Sequence, residues 1–152
     1  MKSQPTGGLN NLPQQLTPFI GRQEELAELT RLLADPSCRL LTLLGPGGVG
    51  KTRLAIQSAG QMAADFADGV HFVPLQSVET IDFLIAAITD AVHLPLSGPE
   101  APRRQLLNYL RDKELLLLLD NFEQLLSPAA AGPELITEIL ETAPAVKLLV
   151  TS

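Results

Sequence analysis

The chain has 152 residues, enough for one globular domain whose core needs no crosslinks. Its 45% apolar and 18% charged residues exclude a disordered chain, and 4% aromatics with abundant leucine predict an aliphatic core containing helices rather than an all-β sandwich. A net charge of −6 without any lysine or arginine run argues against direct nucleic-acid contact by this segment. Cys38 is the only cysteine, so no internal disulfide can form, and a small apolar filler in a reducing cytosol is the simpler reading. The first fifteen residues lack the apolar stretch of a signal peptide, and the longest aliphatic run, 115–119, is far too short to span a bilayer. A soluble, cytoplasmic protein without a membrane partner is expected.

Residues 1–18 are rich in Gly, Pro, Asn and Gln and read as a flexible lead-in to a domain spanning 19–152. A first helix is predicted after Gly21, with Leu26, Leu29, Leu32 and Leu33 on one face, Glu24 and Glu25 near its positive end and Asp35-Pro36 as its stop. Residues 39–44 form a short apolar run ending at a glycine, hence a buried strand. From Gly50 the chain continues as a helix through Leu54, Ala55, Ser58, Ala59 and Met62. Residues 69–75 predict a second strand, at the sheet edge or ending at Pro74, since proline cannot donate to a ladder. Ile81, Leu84, Ile85, Ile88 and Val92 recur at helical spacing up to Pro95, and a Pro/Gly linker precedes another helix at 105–111. The run 115–119 reads as a strand buried on both faces, followed by helical turns at 122–126 and 133–141 and a last strand at 146–150. Alternating strands and helices predict right-handed βαβ units in a parallel sheet covered on both faces.

Gly45-Pro46-Gly47-Gly48-Val49-Gly50-Lys51-Thr52 matches G-x-x-x-x-G-K-[ST] without a gap, between an apolar strand and a helix. Glycines let the backbone turn tightly so that successive N–H groups point inward around phosphate oxygens, and the helix N-terminus adds to that field. Lys51 brings charge to the β- and γ-phosphates, the Thr52 hydroxyl can ligate Mg²⁺, and Arg53 completes the expected phosphate-binding set. Asp120 closes the 115–119 strand, where open α/β sheets place their ligands, and can reach Mg²⁺ through a water; a helix N-cap is a compatible second role. Glu123 could polarise a water or simply be a first-turn helix acid. His71 and His93 have no partner cluster and read as packing or surface residues, and Arg103 and Arg104 as a solvated helix start.

The segments FIGRQEEL (19–26), LLTLLGPGGVGKTRLA (40–55), DGVHFVPL (68–75), LLLLLDNFEQLL (115–126) and KLLVTS (147–152), taken in order, resemble the NB-ARC-like STAND ATPases, above all those of large bacterial transcriptional regulators of LuxR or AfsR type. The resemblance covers residues 12–152. It implies a P-loop NTPase three-layer α/β/α sandwich of the ASCE/AAA-like kind, ending here after the fourth strand, with the fifth strand, helical lid and downstream domains lying outside this sequence. By this resemblance Phe19-Ile20-Gly21-Arg22 lies against the adenine, although a hydrophobic staple would give the same pattern. The last strand is implied to lie between the P-loop strand and the Asp120 strand, with the Pro74 strand outermost. Thr151 and Ser152 fall at the sensor position that reads the γ-phosphate, and Asn121 stands where fast ATPases often carry a second acid.

The function expected is an ATP/ADP- and Mg²⁺-binding switch, an ATPase in its longer parent with very slow turnover in this segment, and self-association through the NTPase domain of that parent. A continuously hydrolysing motor and a non-hydrolysing scaffold are the rivals. The guanine-reading N-K-x-D element would lie beyond residue 152, so its absence does not separate ATP from GTP; the opening motif favours adenine.

Overall fold

The structure is a computed structural model that describes residues 10–15, 21–45, 50–127 and 130–152. The described residues form five helices and four strands, in the order α1 Gln23–Ala34, β1 Leu40–Leu43, α2 Lys51–Gln61, β2 Val70–Pro74, α3 Ile81–Ala91, α4 Pro102–Leu110, β3 Leu116–Asp120, α5 Gly132–Thr142 and β4 Lys147–Thr151. Short 3-10 turns occupy Ala63–Asp65 and Phe122–Leu125.

All strand pairs are parallel, in the order β1-β4-β3-β2. The expected order therefore holds: β4 separates the P-loop strand from the Asp120 strand, and β2 is the outer edge. Along β3, Leu116 and Leu118 face one layer with Leu33, Ala55, Ala59 and Phe66. Leu117 and Leu119 face the other, with Leu84, Ile88, Leu106, Leu110, Leu135 and Ile139. The run predicted to be buried on both faces is thus the central partition of a three-layer sandwich, α1 and α2 on one side and α3 to α5 on the other. Each of these leucines is sealed from solvent, and truncating one to alanine costs about 2–5 kcal/mol.

Element ends shift in ways the packing explains. β3 and β4 each run one residue further than predicted, because Pro74 pairs with Asp120 and Leu43 with Thr151 in register. Asp120 and Thr151 are consequently the last rungs of adjacent strands. Helix α4 begins at Pro102 rather than residue 105, since a proline at the first helical position fixes φ and loses no needed N–H. The Arg39 guanidinium donates to the carbonyls of Ala143 at 2.6 Å and Val146 at 2.9 Å, tying β1 to the end of α5. Lys147 does the same for α1, donating to the carbonyls of Leu33 and of Asp35. Both cations sit at helix C-termini, where the dipole favours them.

The lead-in expected over 1–18 is docked where it is described. Asn10 bridges to Val70, Leu12 packs into the α2 layer, and the Asn11 amide pairs with Phe72 in both directions, accepting at 2.5 Å and donating at 3.1 Å. A side-chain amide carries the same donor and acceptor as a peptide, so Asn11 covers part of the open β2 ladder. His71 is a packing residue as expected: it is buried, with Nε2 2.9 Å from the Asp68 carbonyl. His93 is exposed. Arg103 departs from a purely solvated reading by pairing with Glu138 across α4 and α5.

Candidate functional site

The carboxyl ends of β1, β4 and β3 converge beside the start of α2. There Gly45, Gly50, Lys51, Thr52, Arg53, Asn121, Glu123 and Ser152 line an open cleft of about 420 Å³. Pro46, Gly47, Gly48 and Val49 lie outside the described residues, as do Phe19 and Ile20. The two ends of the phosphate loop are nevertheless brought together: the Lys51 ammonium donates to the carbonyls of Gly45 and, at 2.6 Å, of Ser152. Among the described residues these backbone oxygens are its hydrogen-bond partners, and a phosphate arriving in the cleft can replace them as a charge-assisted acceptor.

Beneath the cleft floor lies Asp120, 5% exposed, and three donors orient it. Thr52 Oγ1 donates to Oδ1 at 2.8 Å, Thr151 Oγ1 donates to the same oxygen at 2.6 Å, and Asn121 Nδ2 approaches Oδ2 at 3.3 Å. Thr52 and Asp120 are 68 residues apart in sequence; the parallel ladder and the start of α2 bring them into contact. A buried carboxylate holding charge-assisted bonds of this length is well compensated for its burial.

That donor set suits Mg²⁺, which binds through one or two carboxylates together with substrate phosphates rather than an all-protein cage. Among the described residues no group of three or more His, Cys, Asp or Glu could hold a metal by itself. One hydroxyl and one carboxylate beside a phosphate loop are what a metal arriving with a nucleotide requires.

The remaining residues singled out in the sequence divide between the cleft and its surroundings. Glu123 is exposed on the cleft wall, and Asn121 is half-buried with a left-handed backbone (φ 62°), which asparagine tolerates. Ser152 lines the cleft, whereas Thr151, 1% exposed, lies behind Asp120 and away from the opening. Gly21 and Arg22 precede α1, and Arg22 reaches the phosphate loop: a β-carbon added at Gly50 would meet Arg22 Nη1 at 2.9 Å. Glu25 holds that guanidinium through a 2.7 Å bond, which keeps the Glu25 carboxyl below its ordinary pKa and raises that of Arg22. Sequence reasoning did not single out Glu25 for this contact, although its spacing three residues after Arg22 on a helix was the available signal.

Residues 34–149 match the family described as AAA domain. An uncharacterised protein of Mycobacterium tuberculosis is 37% identical over 139 residues, covering 91% of this chain and 34% of that protein. A second Mycobacterium tuberculosis protein, named as an HTH-type transcriptional regulator, is 40% identical over 114 residues, 75% of this chain and 12% of its own length. The regulatory protein AfsR of Streptomyces coelicolor is 34% identical over 128 residues, 72% of this chain and 13% of AfsR. This chain thus spans about a third of the first of these relatives and about an eighth of the two regulators. Among solved structures, the Aeropyrum pernix ORC2 protein in its ADPNP–ADP complexes superposes with a TM-score of 0.68 at 21% identity, over 86% of this chain and 40% of that one. Cdc6p of Pyrobaculum aerophilum gives 0.65 at 20% identity, over 93% and 40%. At such identities these two likenesses are of fold, and the fold they share with the α/β/α sandwich seen here is that of P-loop AAA-type ATPases. With the family matched across most of the sequence and the phosphate-loop cleft at the carboxyl edge of its sheet, this chain belongs to the AAA domain family.

Proposed function

We propose that this chain is the ATP/ADP-binding module of a STAND-type, NB-ARC-like signalling ATPase, acting as a nucleotide-dependent switch within a transcriptional regulator. The observation that carries the reading is the contact between Thr52, at the start of α2, and Asp120, at the end of β3, beside the Lys51 ammonium. On this reading the backbone of 45–52, Lys51 and Arg53 receive the phosphates, while Thr52 and, through a water, Asp120 hold Mg²⁺. Held there, Mg²⁺ would supply positive charge against the phosphates. Phe19 and Ile20 offer apolar surface to the adenine, with Gly21 and Arg22 completing that end. Ser152, on the cleft wall, is the candidate to sense the γ-phosphate. The relatives named as regulators support placing the module in a longer regulatory protein, and self-association through this domain in that protein is part of the same proposal. The net charge of −6 favours leaving nucleic-acid contact to other segments.

A switch must hold nucleotide longer than it hydrolyses it. Asn121 supports that, because its amide approaches Asp120 as a donor and is a far weaker proton acceptor than a carboxylate. Continuous turnover is the second reading, and Glu123 on the cleft wall is the observation that favours it. Nucleotide extracted from natively purified protein separates them. Stoichiometric ADP is expected for the switch. Empty protein that turns ATP over continuously would favour the motor, and protein with no affinity for either nucleotide would end both readings.

A further inference from the structure

We infer that Thr151 is a positioning residue for Asp120, fixing the carboxylate for magnesium without itself meeting the nucleotide. The inference rests on the nucleotide site proposed above and assigns within it a residue that sequence resemblance put at the γ-phosphate. Three observations carry it. Thr151 is 1% exposed and, unlike its neighbour Ser152, does not line the cleft. Its hydroxyl oxygen accepts from the Asn121 backbone N–H at 2.9 Å, leaving its single proton for Asp120 Oδ1 at 2.6 Å. That length lies in the range of hydroxyl bonds to an ionised carboxylate.

The third observation concerns the other hydroxyl on the same oxygen. Thr52 also donates to Oδ1, but Thr52 is the residue the proposed metal site claims for itself. A hydroxyl that binds a metal through its oxygen keeps its proton, so Thr52 can still donate to Oδ1 in the loaded site. The Thr151 bond comes from a buried side chain outside the cleft lining, so it fixes Oδ1 with or without the metal. The carboxylate direction in the loaded site therefore depends in part on a side chain 31 residues away. The chain Asn121 N–H to Thr151 O–H to Asp120 also ties the ends of two adjacent strands to the metal-facing group.

The test is calorimetric titration of the 152-residue chain with ADP and with a non-hydrolysable ATP analogue, in magnesium and in EDTA, for the parent, Thr151→Val and Thr151→Ser, with ligand-free melting as the check on folding. Thr151→Val is expected to lose roughly tenfold or more of the magnesium-dependent gain in affinity, the scale of one hydrogen bond to a charged group. Affinity in EDTA should stay within about twofold of the parent, and Thr151→Ser should restore the gain. In an Asp120→Asn background, Thr151→Val should change the magnesium dependence no further. If the valine variant does not fold, Thr151→Ala carries the same expectation. A valine or alanine variant with the full magnesium gain would overturn the inference, as would an equal loss in EDTA, which would mean direct contact with nucleotide. A serine variant that folds but lacks the gain would also overturn it. A parent with no magnesium dependence at all would instead remove the proposed site on which the inference stands.

Discussion

Arg22 and Gly50 lie so close that a β-carbon on Gly50 would come within 2.9 Å of Arg22 Nη1. Gly50 also has φ +80°, so alanine there meets both crowding and a left-handed backbone. The crowding can relax, because Nη1 is the end of a flexible side chain; the backbone strain cannot. Gly50→Ala should lower stability by about 1–2 kcal/mol in urea unfolding, and most of that loss should remain in an Arg22→Ala background. Equal stability of Gly50→Ala and the parent would contradict the strain, and full recovery in the double variant would assign the whole effect to crowding.

Asp120 accepts from three side chains, two of them on adjacent elements, and its removal should be felt twice. Asp120→Ala leaves the buried Thr151 hydroxyl without its acceptor, which should cost about 1–3 kcal/mol in thermal or urea unfolding. In titrations with ADP the same variant should keep its affinity in EDTA and lose the gain that magnesium provides. Unchanged magnesium dependence would remove Asp120 from the metal site.

Strand β1 has β4 as its one partner among the described residues, and it carries Leu40, 42% exposed, with Leu44 just beyond it at 75%. An apolar strand with an open ladder invites pairing with another chain. The 152-residue chain should therefore associate as its concentration rises in size-exclusion chromatography, and Thr42→Lys, on an exposed rung of β1, should reduce this. A monomer at all concentrations would show that the edge is protected.

Most of the sheet was legible in the sequence because its determinants are local. The leucines of 115–119 read as a strand buried on both faces and Pro74 as an edge or an end, whereas the run 39–44 reads as a buried strand but forms the edge strand β1, with Leu40 and Leu44 exposed. The phosphate loop was legible because its glycines and lysine are contiguous. The contacts that shape the site were not, because they join residues brought together only by strand register. Nothing near Thr151 announces a bond to Asp120, and nothing in the Gly/Pro/Asn-rich lead-in marks Asn11 as a partner for Phe72. Gly132 is a further case: a β-carbon there would collide with the Leu125 carbonyl, a close approach of two backbones that no local pattern encodes.

Hydrolysis by this chain should be slow. Asn121 offers the attacking water no carboxylate, and Glu123, the acid on the cleft wall, is exposed, its carboxylate without a hydrogen-bond or ion-pair partner among the described residues. Phosphate release under saturating ATP and magnesium should stay well below about one per second, the low end for kinases. Sustained turnover at or above that rate, abolished by Glu123→Gln, would favour the motor reading.

The central claim is that Lys51 and the loop ending in it hold an adenine nucleotide. Calorimetric titration of ATP and ADP into the parent and into Lys51→Ala, with magnesium present, tests it most directly. Among the described residues Lys51 donates to backbone oxygens of Gly45 and Ser152 and to no side chain, so its loss should leave the fold near the parent in melting temperature while removing the charge that meets the phosphates. Saturable binding by the parent and none by Lys51→Ala is the result expected; a folded Lys51→Ala that binds ATP as tightly as the parent would contradict the assignment of the site.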